Sequence, residues 1–99
     1  MRLTAEEQRR IKAVAERIFG PAVQVYVFGS RVDDSRRGGD LDMYCVLPER
    51  PADLARREAR FQVEAEAALD GLTVDVVVRT PDTPVATIHR HAERTGVRL

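Results

Sequence analysis

The sequence predicts a small α/β (α+β) fold, a mixed β-sheet packed by helices, in the order α-β-loop-β-α-β-α. Three observations predict it. Apolar residues recur at helical spacing near the N-terminus and again in the middle of the chain. Short runs rich in valine and aromatics, bounded by Gly, Pro and Asp, read as strands. The two kinds of segment alternate, which favours helices layered on one sheet.

The elements follow in order. Thr4 and Glu7 form a capping-box pattern, so a helix is expected to start near Ala5. Ile11, Val14, Ala15, Ile18 and Phe19 give it one apolar face, and Gly20-Pro21 stops it. Ala22 to Phe28 reads as the first strand and Gly29 to Gly39 as a loop. Leu41 to Leu47 reads as the second strand, ended by Pro48 and Pro51. Asp53 is placed to cap a helix from Leu54 to about Leu69, whose inner stripe is Leu54, Phe61, Ala65, Ala68 and Leu69. Asp70-Gly71 turns the chain into a third strand, Thr73 to Arg79. After a break at Thr80-Pro81-Asp82, Thr83 is expected to cap a last helix with Pro84 in its first turn and Val85, Ile88 and Ala92 inward. Gly96 ends that helix and leaves a tail, Val97 to Leu99.

Ninety-nine residues suit one domain, 1–99. The apolar share of 43% and charged share of 32% belong to an ordinary water-soluble domain. A formal net charge of zero gives no broad attraction to nucleic acid or membrane, so direct nucleic-acid binding is not expected. Cys45 is the sole cysteine, which excludes an internal disulfide and a thiolate metal cluster and favours a cytoplasmic setting. Met1 to Arg10 is polar and helix-like, unlike a signal segment. No apolar run approaches the roughly 20 residues that span a bilayer.

The chemistry gathers at three places. Alternate side chains of a strand share a face, so Asp40 and Asp42 point one way while Leu41, Met43, Cys45 and Leu47 point the other. Asp75 interrupts the apolar run Val74 to Val78, which is costly unless it is paired, metal-bound or at an exposed end. With the two strands side by side, three carboxylates converge and need cations to neutralise them. Oxygen-only ligands suit Mg²⁺, and two such ions about 4 Å apart can hold the attacking and leaving oxygens of a phosphoryl displacement. Gly29-Ser30 closes the first strand, where a glycine admits a phosphate close to the backbone and a serine donates to it. Arg31, with Arg36 or Arg37, offers fixed positive charge for a triphosphate.

Each part has a plainer reading. Gly-Ser after a strand is commonly a turn, and Asp75 by itself is also the mark of an edge strand kept soluble. The conjunction is what no plain reading asks for.

These residues resemble the minimal nucleotidyltransferase domains of the DNA polymerase β superfamily. The matching stretches are Phe28-Gly29-Ser30-Arg31-Val32, Gly39-Asp40-Leu41-Asp42-Met43 and Val74-Asp75-Val76. The resemblance implies a polymerase β palm-like nucleotidyltransferase fold with ATP as substrate. It implies Gly29 and Ser30 at the triphosphate (to which the charge of Arg31, read from the residues above, is added), Asp40 and Asp42 on two Mg²⁺ ions, and Asp75 on the catalytic ion beside the acceptor hydroxyl. It further implies the antitoxin of a HEPN-domain toxin, moving AMP onto a hydroxyl of that partner. Small-molecule and polymerase members carry further domains that grip the acceptor, so a protein acceptor is expected here. The competing expectation is a non-catalytic antitoxin that neutralises its partner by occlusion.

Other site types are excluded or disfavoured. There is no G-x-x-x-x-G-K-[ST] loop and no G-x-G-x-x-G fingerprint, and an EF-hand would need polar ligands where Met43 and Tyr44 stand. His89 and His91 lie two apart on a helical stretch and cannot share a face. Cys45 is expected to be buried and inert, and Arg56, Arg57, Glu58, Arg60, Glu64 and Glu66 to form a solvated, locally paired helix face.

Overall fold

The computed structural model describes residues 3–28, 41–69, 73–83, 90 and 96–99. Their order is α1 (Ala5–Phe19), β1 (Gln24–Phe28), β2 (Leu41–Val46), α2 (Leu54–Ala68), β3 (Val74–Arg79) and β4 (Val97–Arg98). The strands form one mixed sheet in the order β3-β2-β1-β4. β1 runs antiparallel to β2 and to β4, while β2 and β3 are parallel. Parallel neighbours need a crossover, and α2 is that crossover.

Both helices form for reasons legible in their residues. In α1 the Thr4 hydroxyl accepts the Glu7 N–H at 3.0 Å and the Glu7 carboxylate accepts the Thr4 N–H at 2.9 Å, a complete capping box. Ile11, Val14, Ala15, Ile18 and Phe19 are buried, as their spacing predicts. Gly20 ends the helix at φ 102°, in the left-handed region that favours glycine, with its N–H on the Glu16 carbonyl.

α2 buries Leu54, Phe61 and Ala65. Leu69 follows it at the helix end, also buried. Its predicted cap does not form. Asp53 makes no capping bond, because its carboxylate accepts instead from Arg57 Nε at 2.7 Å. That guanidinium holds the Asp53 carboxyl below its usual range. Arg17 and Arg60 do the same to Glu64, which joins α1 to α2.

One core holds the layers together. The helix stripes meet Val25 and Val27 of β1, Leu41, Met43 and Cys45 of β2, and Val74 of β3. Phe19 and Phe61 cross at its centre with rings 5.4 Å apart and tilted 46°. Leu47, just past β2, is buried there too, so the face predicted for Leu41, Met43, Cys45 and Leu47 is the helix side of the sheet.

The structure corrects several boundaries. β1 starts at Gln24 rather than Ala22, and β3 at Val74 rather than Thr73. The tail at Val97 to Leu99 is bound to the sheet: Val97–Arg98 is β4, and the Leu99 N–H donates to the Val25 carbonyl at 2.9 Å. Glu66 is more than a solvated helix residue, since its carboxylate accepts the Val74 N–H at 2.9 Å and ties the end of α2 to the start of β3. Of the predicted last helix, residues 84–89 and 91–95 lie outside the described residues, and with them Pro84, Val85, Ile88, His89, His91 and Ala92; Arg90 is helical. No described helix is long and apolar enough to cross a membrane.

Phe61 has no exposed surface and packs on Phe19 at the join of the two helices. Phe61→Ala is expected to cost about 3–5 kcal/mol, read as a fall in the urea midpoint at constant slope.

Candidate functional site

The site begins with strand alternation. Sending Leu41, Met43 and Cys45 to the helix side leaves Asp42, Tyr44 and Val46 for the opposite face of β2. In β1 the same rule leaves Tyr26 and Phe28, and in β3 it leaves Asp75, Val77 and Arg79. Phe28 and Tyr44 form a second, smaller core there, joined by Tyr26, Val46 and Val77.

Register then sets the row that matters. Phe28 is opposite Asp42 across β1 and β2, and Asp42 is opposite Asp75 across β2 and β3. Neighbouring strands stand about 4.8 Å apart, so two carboxylates share one level of one face. Phe28 is buried, Asp42 half-buried and Asp75 exposed, so the row opens to solvent toward the β3 edge. Two carboxylates side by side repel, and cations relieve that repulsion. The donors are oxygens alone, which suits a hard divalent ion such as Mg²⁺.

Among the described residues no three His, Cys, Asp or Glu side chains gather to hold a metal. Asp42 and Asp75 contribute two. The third expected ligand, Asp40, lies outside the described residues, as do Gly29, Ser30, Arg31, Arg36 and Arg37. Their place along the chain is nonetheless bounded, since β1 ends at Phe28 and β2 opens at Leu41.

One level further from the acids, Tyr26 is opposite Tyr44, with rings 5.7 Å apart and tilted 39°. Tyr44 is fully buried and Val77 is its register partner on β3. The acid row therefore borders an aromatic floor. The two-residue alternation that groups Asp40 with Asp42 in the sequence continues to Tyr44 and Val46, which is the signal for this floor in the residues.

A family model described as a nucleotidyltransferase domain matches residues 8–95. The chain belongs to the nucleotidyltransferase domain family. No curated protein matches it. As a nucleotidyltransferase domain it is a transferase acting on a nucleoside triphosphate, and the family generally uses a divalent metal. The matched span contains Asp42 and Asp75 together with Gly29, Ser30, Arg31 and Asp40. The four-stranded mixed sheet with two helices agrees with this family's fold.

Concave places also lie elsewhere among the described residues. A cleft of about 240 Å³ between Phe19, Pro48, Arg50, Pro51 and Arg57 sits past the C-terminal end of β2, the end away from Asp42. Its arginines are engaged: Arg57 binds Asp53 and the Ile18 carbonyl, and Arg50 lies 3.8 Å from Asp82. Another, about 330 Å³, is lined by α1 residues and Leu99. Neither has the chemistry of a transferase centre.

Cys45 is buried under the helices, and burial pushes its thiol from 9.0 up to about 12. A thiol raised in the folded state adds stability that is complete below pH 9 and is lost as the pH climbs toward 12. Folding stability is therefore expected to decline over that window, and Cys45→Ala to flatten the decline. At pH 8 a thiol-reactive dye should label Cys45 only when urea unfolds the chain; rapid labelling of the folded protein would contradict its burial.

Proposed function

We propose that the protein transfers AMP from ATP to a hydroxyl of a partner protein, with two Mg²⁺ ions, and that it acts as the antitoxin of a HEPN-type toxin. The single observation that carries the transfer chemistry is the register pair Asp42–Asp75 in a chain of the nucleotidyltransferase family. The partner follows from the likeness to minimal nucleotidyltransferases and from the exposure of Asp75 toward a sheet edge, where a bulky acceptor has access.

The roles divide by chemistry. Asp40 and Asp42 would hold both metal ions, and Asp75 would hold the catalytic ion and orient the acceptor hydroxyl. Gly29 and Ser30 receive the triphosphate through backbone and hydroxyl donors, and Arg31 adds fixed charge. Bound Mg²⁺ supplies neutralisation of the charge that develops on the phosphate oxygens. The acceptor oxygen forms a bond to the α-phosphorus, the bond to the pyrophosphate oxygen breaks, and pyrophosphate leaves. The hydroxyl proton passes to Asp75 or, through it, to water.

The test uses ATP labelled at the α-phosphate, Mg²⁺, and a candidate HEPN protein or a lysate, read on a denaturing gel. A labelled protein band is expected, absent with γ-labelled ATP and absent on chelation. Asp42→Asn and Asp75→Asn should each lower labelling by orders of magnitude while melting stays cooperative. Undiminished labelling in either variant would overturn the site. Neutralisation of the partner without any label, surviving Asp42→Asn, would establish occlusion instead.

A further inference from the structure

β3 is an outer strand, and among the described residues no strand pairs with its far edge. The carbonyls of Thr73 and Arg79 accept the Leu41 and Leu47 N–H groups, each at 2.9 Å. Odd-numbered residues of β3 therefore direct their backbone to β2, and Val74, Val76 and Val78 direct theirs outward. The outward N–H of Val74 is already held by Glu66. The outward N–H of Thr80, just past the strand, is held by the Thr83 hydroxyl at 3.0 Å. That leaves Val76 and Val78 as the residues whose edge can template another strand. Its backbone is open to pairing, since Val74–Arg79 contains no proline or glycine, and only Asp75 and Arg79 bring charge to it. Its charges, Asp75 and Arg79, stand at equal distances on either side of Val77.

We propose that β3 is a self-association edge, pairing antiparallel with β3 of a second copy about a two-fold axis at Val77. In this register Val77 faces its own copy, Val76 faces Val78, and Asp75 faces the arginine that its symmetry mate places at position 79. Val76 and Val78 exchange both backbone bonds, and the two-fold axis doubles the set. The neighbouring registers are disfavoured by contacts already made. Centring the axis on Val76 needs the Val74 N–H that Glu66 holds, and centring it on Val78 needs the Thr80 N–H that Thr83 holds. Both also lose the opposite-charge pairing, which stabilises directly facing residues. The carboxylate that deters unrelated strands thus selects a second copy of this chain. A paired copy and an acceptor protein would compete for Asp75, so the dimer is a resting form.

Sedimentation velocity without nucleotide, over a wide range of protein concentration, tests the pairing independently of any transfer activity. A reversible monomer–dimer equilibrium is expected. Val76→Pro removes an outward N–H while leaving the bonds to β2 intact, a tolerated change at a sheet edge, and should raise the dissociation constant at least roughly tenfold. Register is read separately by cysteine cross-linking in a Cys45→Ala background. Val77→Cys should form a disulfide-linked dimer under mild oxidation, because a directly facing non-hydrogen-bonded pair lies about 4.5 Å apart at Cα, and Val63→Cys on exposed α2 should not. Arg79→Asp should weaken association, and Asp75→Arg added to it should restore association. A monomer at every concentration, a dimer indifferent to Val76→Pro, or equal cross-linking at positions 63 and 77 would each overturn the proposal.

Discussion

The parallel pairing of β2 with β3 is the constraint on which the rest depends. Parallel neighbours cannot be joined by a hairpin, so α2 must cross over the sheet and lay its apolar stripe on one face. α1 then packs beside α2 on the same side, with Phe19 against Phe61, and closes the main core. The same pairing decides which residues share a level across the strands, and it puts Asp42 and Asp75 on one level. Because side chains alternate, a slip of one residue would turn Asp75 into the helix-side core and bring Val74 out. Burying Val74 completely, with Leu41 opposite it, penalises that slip.

The two faces of the sheet obey different physics. The helix side is apolar and densely interlocked, and it supplies the stability. The opposite side places acids at one end and tyrosines further along, and at the acid level burial grades into exposure from Phe28 through Asp42 to Asp75. The charges that dress the helices contribute less. Arg9–Glu6, Arg57–Asp53 and Arg60–Glu64 are solvent-exposed pairs within a helix turn, a class generally worth well under ~1 kcal/mol. Two polar contacts carry more structural information. Glu66 fixes where β3 begins, and Thr80, fully enclosed and bonded to Asp82 and Thr83, fixes where it ends.

Much of this was legible in the residues, for identifiable reasons. The capping box at Thr4 and the five buried residues of α1 follow from spacing alone, since a helix repeats over short range. The start of β2 at Leu41 and the side on which Cys45 and Met43 lie were legible, the side through alternation, while the strand ends at Val46, one residue short of the expected Leu47. Long-range and competitive effects were hidden. Two residues of β4 are too short for any period to show, and they are strand only because β1 offers an edge. Asp53 has the side chain of a cap, but Arg57 one turn on competes for it, and a composition rule cannot rank the two. Glu66 looks like any surface glutamate until folding brings the Val74 N–H to it. That β2 and β3 are adjacent is a matter of topology, so the sequence could name Asp42 and Asp75 without showing that they face each other.

Register also bears on how such a domain diversifies. The distance between Asp42 and Asp75 is quantised by the sheet: it changes in whole-residue steps or not at all. Length and composition of the segments that connect the strands do not enter it. Lineages descended from this architecture can therefore trade one connecting segment for another, and with it the molecules they engage, while inheriting the acid pair unaltered. In evolutionary terms the strand ladder is the grammar and the connections are its vocabulary.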